Sequence, residues 1–187
     1  MKVSREQVDE NRKHILDAAA RLFRERGFDD VTVAEIMKAA GLTHGAFYGH
    51  FKSKEELVAQ ACGHALAVAS ESGNFPKDLS GFATVYLSQA HRDDPGSGCV
   101  FSALGSEAVR ASKETRDVLT DYVRTQIEDF SKSAPGNTAA ERRQAAVCSW
   151  SAMIGALVLA RVVDDPALSD QILADARARL GHDELSP

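Results

Sequence analysis

The stretch TVAEIMKAAGLTHGAFYGHFKSKEEL, residues 32–57, decides how this chain folds. Thr32 and Glu35 stand at capping-box spacing: the Thr hydroxyl accepts from the N3 amide, and the Glu carboxylate reaches back to the Thr amide. Val31 and Ile36 flank the box as a hydrophobic staple. The helix that opens here is short, because Gly41 stops it after Ala39-Ala40. Thr43 then stands as a new N-cap, with Leu42 and Phe47 as a second staple. Two short helices joined by a tight Gly-containing turn form a helix-turn-helix pattern. Ser53 and Glu56 open the next helix with another box.

Outward from this stretch the pattern stays helical, with no strand alternation longer than a few residues. A first helix is expected over about Gln7–Arg26, with Ile15, Ala18, Ala19, Leu22 and Phe23 on one face. Gly27 suits its C-terminal stop, with Phe28 packing back. After residue 54 the expected helices span about Lys54–Ser72, Lys77–Ala90 and Val100–Ala111. Ser112 caps a seventh helix, the Thr138/Glu141 box opens a long apolar one to Val163, and Asp165-Pro166 starts the last, which Gly181 ends. Gly73-Asn74-Phe75-Pro76, Asp93–Gly98 and Pro135-Gly136-Asn137 read as loops. The expected architecture is all-α with about nine helices. A three-helix unit containing the helix-turn-helix would occupy 1–53, and a second helical unit 54–187.

The 187 residues allow one large or two small domains. With 22 basic and 27 acidic residues the net charge is -5, which on its face argues against nucleic acid as a partner. The charge is unevenly placed: +2 up to Lys54 and -7 beyond it, and Ile36–Lys54 holds no Asp or Glu at all. Three widely spaced cysteines, Cys62, Cys99 and Cys148, imply neither a disulfide framework nor a zinc site, and a reducing compartment fits them best. The polar start Met1-Lys2-Val3-Ser4-Arg5-Glu6 lacks the apolar run of a secretory signal. Ala145–Val163 is the most apolar stretch, but Ser149, Ser151, Gly155 and Arg161 interrupt it. A helix buried on most sides is the expectation, rather than a membrane span of about 20 apolar residues.

The run Ala18-Ala19-Ala20-Arg21-Leu22-Phe23 with Gly27-Phe28, followed by Thr32–Ile36, Ala39–Phe51 and Ser53–Leu57, resembles the DNA-binding domain of the TetR/AcrR family. The Phe47-Tyr48-x-His50-Phe51-x-x-Lys54 continuation makes the likeness far more specific than a bare helix-turn-helix. The resemblance implies a DNA-binding transcriptional regulator, a repressor that binds a palindromic operator as a homodimer and is released by a small-molecule effector. It also implies a DNA-binding domain over 1–53, a helical ligand-binding and dimerisation domain over 54–187, and a bacterial cytoplasmic setting. Neither a cofactor nor a metal is expected. An all-helical enzyme is the rival class, but the sequence offers no nucleophile–base motif, no ligand cluster and no phosphate-cradling glycine loop. His91-x-Asp93-Asp94 reads as a solvated loop entry.

A recognition helix lies in the major groove with its N-terminal residues against base edges. The residues expected at DNA are therefore Thr32, Thr43, His44, Gly45, Ala46, Tyr48, His50 and Lys54. His44 would face a purine edge, Gly45 and Ala46 would permit close approach, and Tyr48, His50 and Lys54 would reach phosphates. Thr32 and Thr43 serve as caps in any case, and Phe47 and Phe51 read as core. Where the family pattern favours Ser or Thr, a larger polar residue, and Lys or Arg, this chain has Ala46, Gly49 and His44.

In the body, Phe75, Phe82, Tyr86, Phe101, Leu104, Tyr122 and Trp150 are the candidate lining of an effector pocket, and equally good core residues. With no strong charge among them, a neutral or weakly polar ligand is favoured. Trp150, Met153, Ile154, Leu157, Val158, Arg161, Ile172 and Ala176 are expected at a four-helix dimer interface. Cys99 sits near a helix N-terminus, where thiolates are favoured, and Gly98-Cys99 resembles an arrangement in family members that sense electrophiles or oxidants. A redox or electrophile sensor acting through Cys99 is thus the alternative function, and a small buried hydrophobe the bland one. Cys62 and Cys148, inside helices, read as core.

Overall fold

The computed structural model describes residues 4–181. The polar start at Met1-Lys2-Val3 and the six C-terminal residues lie outside this range. The described residues form nine α-helices with two short 3₁₀ segments and no strand. They are α1 (Arg5–Arg26), α2 (Val33–Ala39), a 3₁₀ segment His44–Gly49, α3 (Lys54–Glu71), α4 (Leu79–Tyr86) and α5 (Gln89–Asp93). A second 3₁₀ turn, Pro95–Ser97, leads to α6 (Val100–Ala108), α7 (Lys113–Ser131), α8 (Ala139–Val162) and α9 (Pro166–Gly181).

Local capping chemistry accounts for most boundaries. Both halves of the Thr32/Glu35 and Thr138/Glu141 boxes form, and Ser112 and Asp165 accept from the first turns of α7 and α9. At α3 only half of the expected box forms: Ser53 Oγ accepts from Glu56 N–H, while the Glu56 carboxylate takes the Lys52 N–H instead. Gly27 closes α1 on Phe23 with φ +89°, and Phe28 stands edge-on to Phe23 at 5.5 Å.

Three expectations need correction. The helix expected over Lys77–Ala90 is two helices, because Leu87 leaves helical geometry and Ser88 Oγ caps a fresh turn through His91 N–H. The sixth helix stops at Ala108 and finishes in a turn through Ala111. The second helix of the helix-turn-helix winds as 3₁₀, with Ala46 N–H on the Thr43 carbonyl, and the Thr43 side chain makes no capping bond. Gly45 and Gly49, poor helix formers, offer little resistance to that tighter winding.

Packing produces two adjoining apolar cores. The first unites α1, α2 and the His44–Gly49 segment with α3, α6 and part of α7, around Ile15, Phe23, Ile36, Phe47, Phe51 and Leu57. The second joins α4, α7, α8 and α9 around Tyr86, Phe130, Met153 and Leu157. Phe101 and Tyr122 touch both. The N-terminal unit therefore rests on α3, α6 and α7, and movement in these helices bears directly on it.

Helix α8 is long and apolar enough to cross a membrane by length and composition alone, yet only 39% of its most apolar window is buried. The expectation of burial on most sides is corrected accordingly. One face, with Ala146, Trp150, Met153, Leu157 and Ala160, points into the core. Val147, Val158, Leu159 and Val162 remain exposed on the other. Cys148, expected in the core, is exposed as well, whereas Cys62 is buried and burial pushes its thiol up to about 12.

Candidate functional site

The helix-turn-helix presents a surface without acidic side chains from Ile36 to Lys54. Phe47 and Phe51 stack at 5.7 Å inside the core and turn the rest of their segment outward. Thr43, His44, Gly45 and Tyr48 are exposed, Tyr48 at 70%, and Ala46, His50 and Lys54 are half-buried. The Tyr48 ring stands edge-on to Phe47 at 5.2 Å and to His44 at 6.4 Å, so the two polar rings occupy one patch. Gly45 and Gly49 have open space around them.

Thr32 and His50 are already engaged. The Thr32 hydroxyl accepts from Glu35 N–H and donates to its carboxylate at 2.7 Å. The backbone and hydroxyl bonds from Thr32, helped by Arg26 at 2.9 Å, hold Glu35 down at about 2. The His50 carbonyl accepts from Arg12, and its Nδ1 is buried without a partner. Burial, with the Arg12 charge nearby, pushes the His50 imidazole pKa down, which favours the neutral ring. Arg12 carried no signal in the helical pattern. Its guanidinium lies 4.3 Å over the Phe51 ring and also donates to Gln60, so it pins the end of the 3₁₀ segment to α3.

Between α3, α4, α6, α7 and α8 lies a cavity of about 480 Å³. Phe75, Phe82, Tyr86, Tyr122 and Trp150 line it, as do Cys99 and Phe130. Phe101 and Leu104 do not: Leu104 is buried in the first core, and Phe101 lies behind the wall, stacked on Tyr122 at 5.9 Å and edge-on to Trp150 at 5.3 Å. The lining also carries charge that the sequence pattern did not reveal, from Lys77, Asp78, Asp129 and Lys132, all exposed. Asp78 caps α4 through Gly81 N–H, and Lys132 is paired with Asp129 at 2.5 Å.

Beside the cavity, His91 is not the solvated loop residue expected. Its Nδ1 donates to the Tyr86 carbonyl at 2.7 Å, and its Nε2 accepts the Cys99 N–H at 3.0 Å. Burial pushes its pKa down, and this bonding pattern requires the neutral ring. Arg161 donates to the His91 and Arg92 carbonyls and to Ser102 Oγ. These groups knit the loop before α6 to α5 and α8. The same loop reaches the N-terminal unit, since the Arg24 guanidinium on α1 donates to the Gly96 carbonyl.

The proposed dimer set divides. Trp150, Met153 and Leu157 are buried within the chain and Arg161 is bonded inside it, which corrects their assignment to an interface. Val158 is exposed, and Ile154, Ile172 and Ala176 are half-buried. Because α8 is apolar on all sides, its sequence carried no sign of which face turns inward. Among the described residues no three His, Cys, Asp or Glu side chains cluster in a way that could hold a metal.

Residues 15–61 match the sequence model of bacterial regulatory proteins of the tetR family. Over 57 residues the chain is 46% identical to the HTH-type transcriptional regulator AcrR of Shigella flexneri, an alignment covering 30% of this chain and 26% of AcrR. The likeness thus spans about a quarter of the length of that relative. In three dimensions the fold extends further. The reduced form of NemR from E. coli superposes with a TM-score of 0.72 at 22% identity, covering 91% of this chain and 94% of that one. AibR, solved with isovaleryl coenzyme A and operator DNA, superposes with a TM-score of 0.62 at 14% identity over 91% and 97%. Residues 15–61 thus match the tetR family in sequence, and the helical layout of the whole chain resembles a TetR-family regulator from Agrobacterium tumefaciens, with a TM-score of 0.72 at 19% identity over 92% of this chain and 98% of that one.

Proposed function

We propose that the chain is a ligand-responsive transcriptional regulator, a repressor that binds a palindromic operator as a homodimer and releases it when a small molecule fills the cavity. Residues 1–53 would read DNA, and residues 54–187 would bind the effector and dimerise. The observation that carries this reading is the acid-free patch of Thr43, His44, Gly45 and Tyr48, exposed on a rigid aromatic base. Ala46 and Gly45 would lie close to the bases, and Lys54 and Tyr48 would meet phosphates. His44 would read one base edge. Thr32, with its hydroxyl committed to Glu35, would contribute its place at the α2 N-terminus. His50, as a neutral ring, would hydrogen-bond rather than pair its charge.

One such segment reads few base pairs, so two are needed, spaced by about 34–36 Å or a multiple. The exposed face of α8, with Val158 and Val162, together with Ile172 and Ala176 of α9, would be covered by a second copy. AibR supplies the analogy for a fold of this kind that holds both operator DNA and a small molecule.

Selection of bound sequences from a random duplex pool tests the reading. A palindrome should emerge at moderate salt; failure to enrich any would refute DNA regulation. A second reading, favoured by the placement of Cys99 in the cavity wall and by the fold's likeness to NemR in its reduced form, makes Cys99 an oxidant or electrophile sensor. Cys99→Ser should then abolish release of DNA by an oxidant, and an unchanged response would rule the cysteine out.

A further inference from the structure

Tyr86 belongs to the cavity wall and carries one unmet hydrogen-bonding group. Tyr86 is 1% exposed, and its hydroxyl is buried without a hydrogen-bond partner. Its polar neighbours are the Cys99 thiol, the Ser102 hydroxyl and, further off, the Arg161 guanidinium. Ser102 spends its proton on the Cys99 carbonyl at 3.1 Å, accepts from Arg161 at 3.2 Å, and lies outside hydrogen-bonding geometry with the Tyr86 hydroxyl. A thiol is a weak acceptor. Buried polar groups are nearly always satisfied, so an orphan hydroxyl in a cavity wall marks a place for a ligand atom. Burial also pushes the Tyr86 phenol pKa up, which keeps its proton on and makes it a donor.

The walls add shape. Phe82 lies stacked against Tyr86 at 5.4 Å, with Phe75 tilted against it at 4.9 Å and Phe130 edge-on at 4.8 Å. Ring faces and edges so arranged favour flat aromatic surfaces. Charge in the lining is confined to exposed side chains, and Asp129 with Lys132 and Asp78 with the α4 N-terminus are already engaged. The Arg161 guanidinium behind Tyr86 is held by the His91 and Arg92 carbonyls and Ser102 Oγ and does not line the cavity, so a charged ligand group driven against Tyr86 would lose water without a counter-ion in the wall.

From these features we infer that the cavity takes an uncharged aromatic ligand carrying one hydrogen-bond acceptor, such as a carbonyl oxygen, that receives the Tyr86 hydroxyl. The inference rests on the cavity being the effector site proposed above and specifies what enters it. A cavity of this volume suits a ligand of drug size.

Trp150, the chain's single tryptophan, lines the cavity and reports occupancy through its fluorescence. Three probes isolate the chemistry: benzophenone, its hydrocarbon counterpart diphenylmethane, and the charged 4-benzoylbenzoate. Benzophenone should bind about three- to tenfold more tightly than the hydrocarbon, the worth of one hydrogen bond, and more tightly than the carboxylate. Tyr86→Phe should erase the preference for the ketone over the hydrocarbon. The comparison in the unaltered protein stands even if that variant folds poorly. Equal affinities for ketone and hydrocarbon, tighter binding of the carboxylate, or no binding of any probe overturns the inference. Tight ketone binding that leaves affinity for the selected duplex unchanged instead overturns the effector role of the cavity while the ligand class stands.

Discussion

The Glu107 carboxylate accepts the Phe28 backbone N–H at 2.6 Å, bridging residues 79 apart in sequence. The bond ties α6 of the body to the turn between α1 and α2. Gly27 makes it possible: its φ of +89° favours glycine, and a Cβ there would come within 2.7 Å of the Glu107 Oε1. Together with Arg24 on the Gly96 carbonyl, it couples the helix-turn-helix unit to the segment bordering the cavity.

Glu107→Ala should therefore lower unfolding stability by about 1–2 kcal/mol, the worth of a partly exposed hydrogen bond to a charged acceptor. It should also weaken the effect of a bound ligand on DNA affinity. Urea melts and paired binding titrations check this. A stability loss with ligand coupling intact would show that the bond holds the fold and carries no signal.

Stability should fall as pH drops from 7 to 5. His91 has a folded pKa below its unfolded value of about 6.5, so the unfolded chain takes up its proton first. The contribution of the neutral ring is complete above the unfolded pKa and is lost progressively below it, toward the lower folded pKa. Protonation would remove the Nε2 acceptor for Cys99 N–H. Thermal melts across this range should show the slope, and His91→Gln should reduce it. His50, shifted the same way, supplies part of what remains.

Gly98→Ala should destabilise the loop before α6. An added Cβ would lie 2.8 Å from His91 Nε2, at the point where that ring accepts from Cys99. A cost of about 1–3 kcal/mol is expected from forcing this packed region apart. Chemical denaturation measures it, and a change within about 0.5 kcal/mol would mean that the ring shifts without losing its bonds.

Val162→Asp should leave the monomer folded, because Val162 is 74% exposed. It should nonetheless disrupt pairing of α8 with a second copy. Sedimentation should show a monomer and operator affinity should collapse. A dimer that persists would place the interface elsewhere.

The helical plan was legible in the sequence because its determinants are local. The Thr32/Glu35 and Thr138/Glu141 boxes, Ser112, and Asp165-Pro166 act within one turn, and the helices begin where they stand. The exposed patch of the helix-turn-helix was equally legible, since the spacing of Phe47 and Phe51 dictates which neighbours turn outward. Tertiary packing decided the rest. Helix α8 is apolar around its circumference, so periodicity could not say that Trp150, Met153 and Leu157 face inward while Val158, Leu159 and Val162 face out. The Leu87-Ser88 break, the burial of His91 and the unpartnered Tyr86 hydroxyl arise where segments distant in the chain converge. A helical pattern records which residues share a face, but the neighbour that face meets depends on how the other helices are packed.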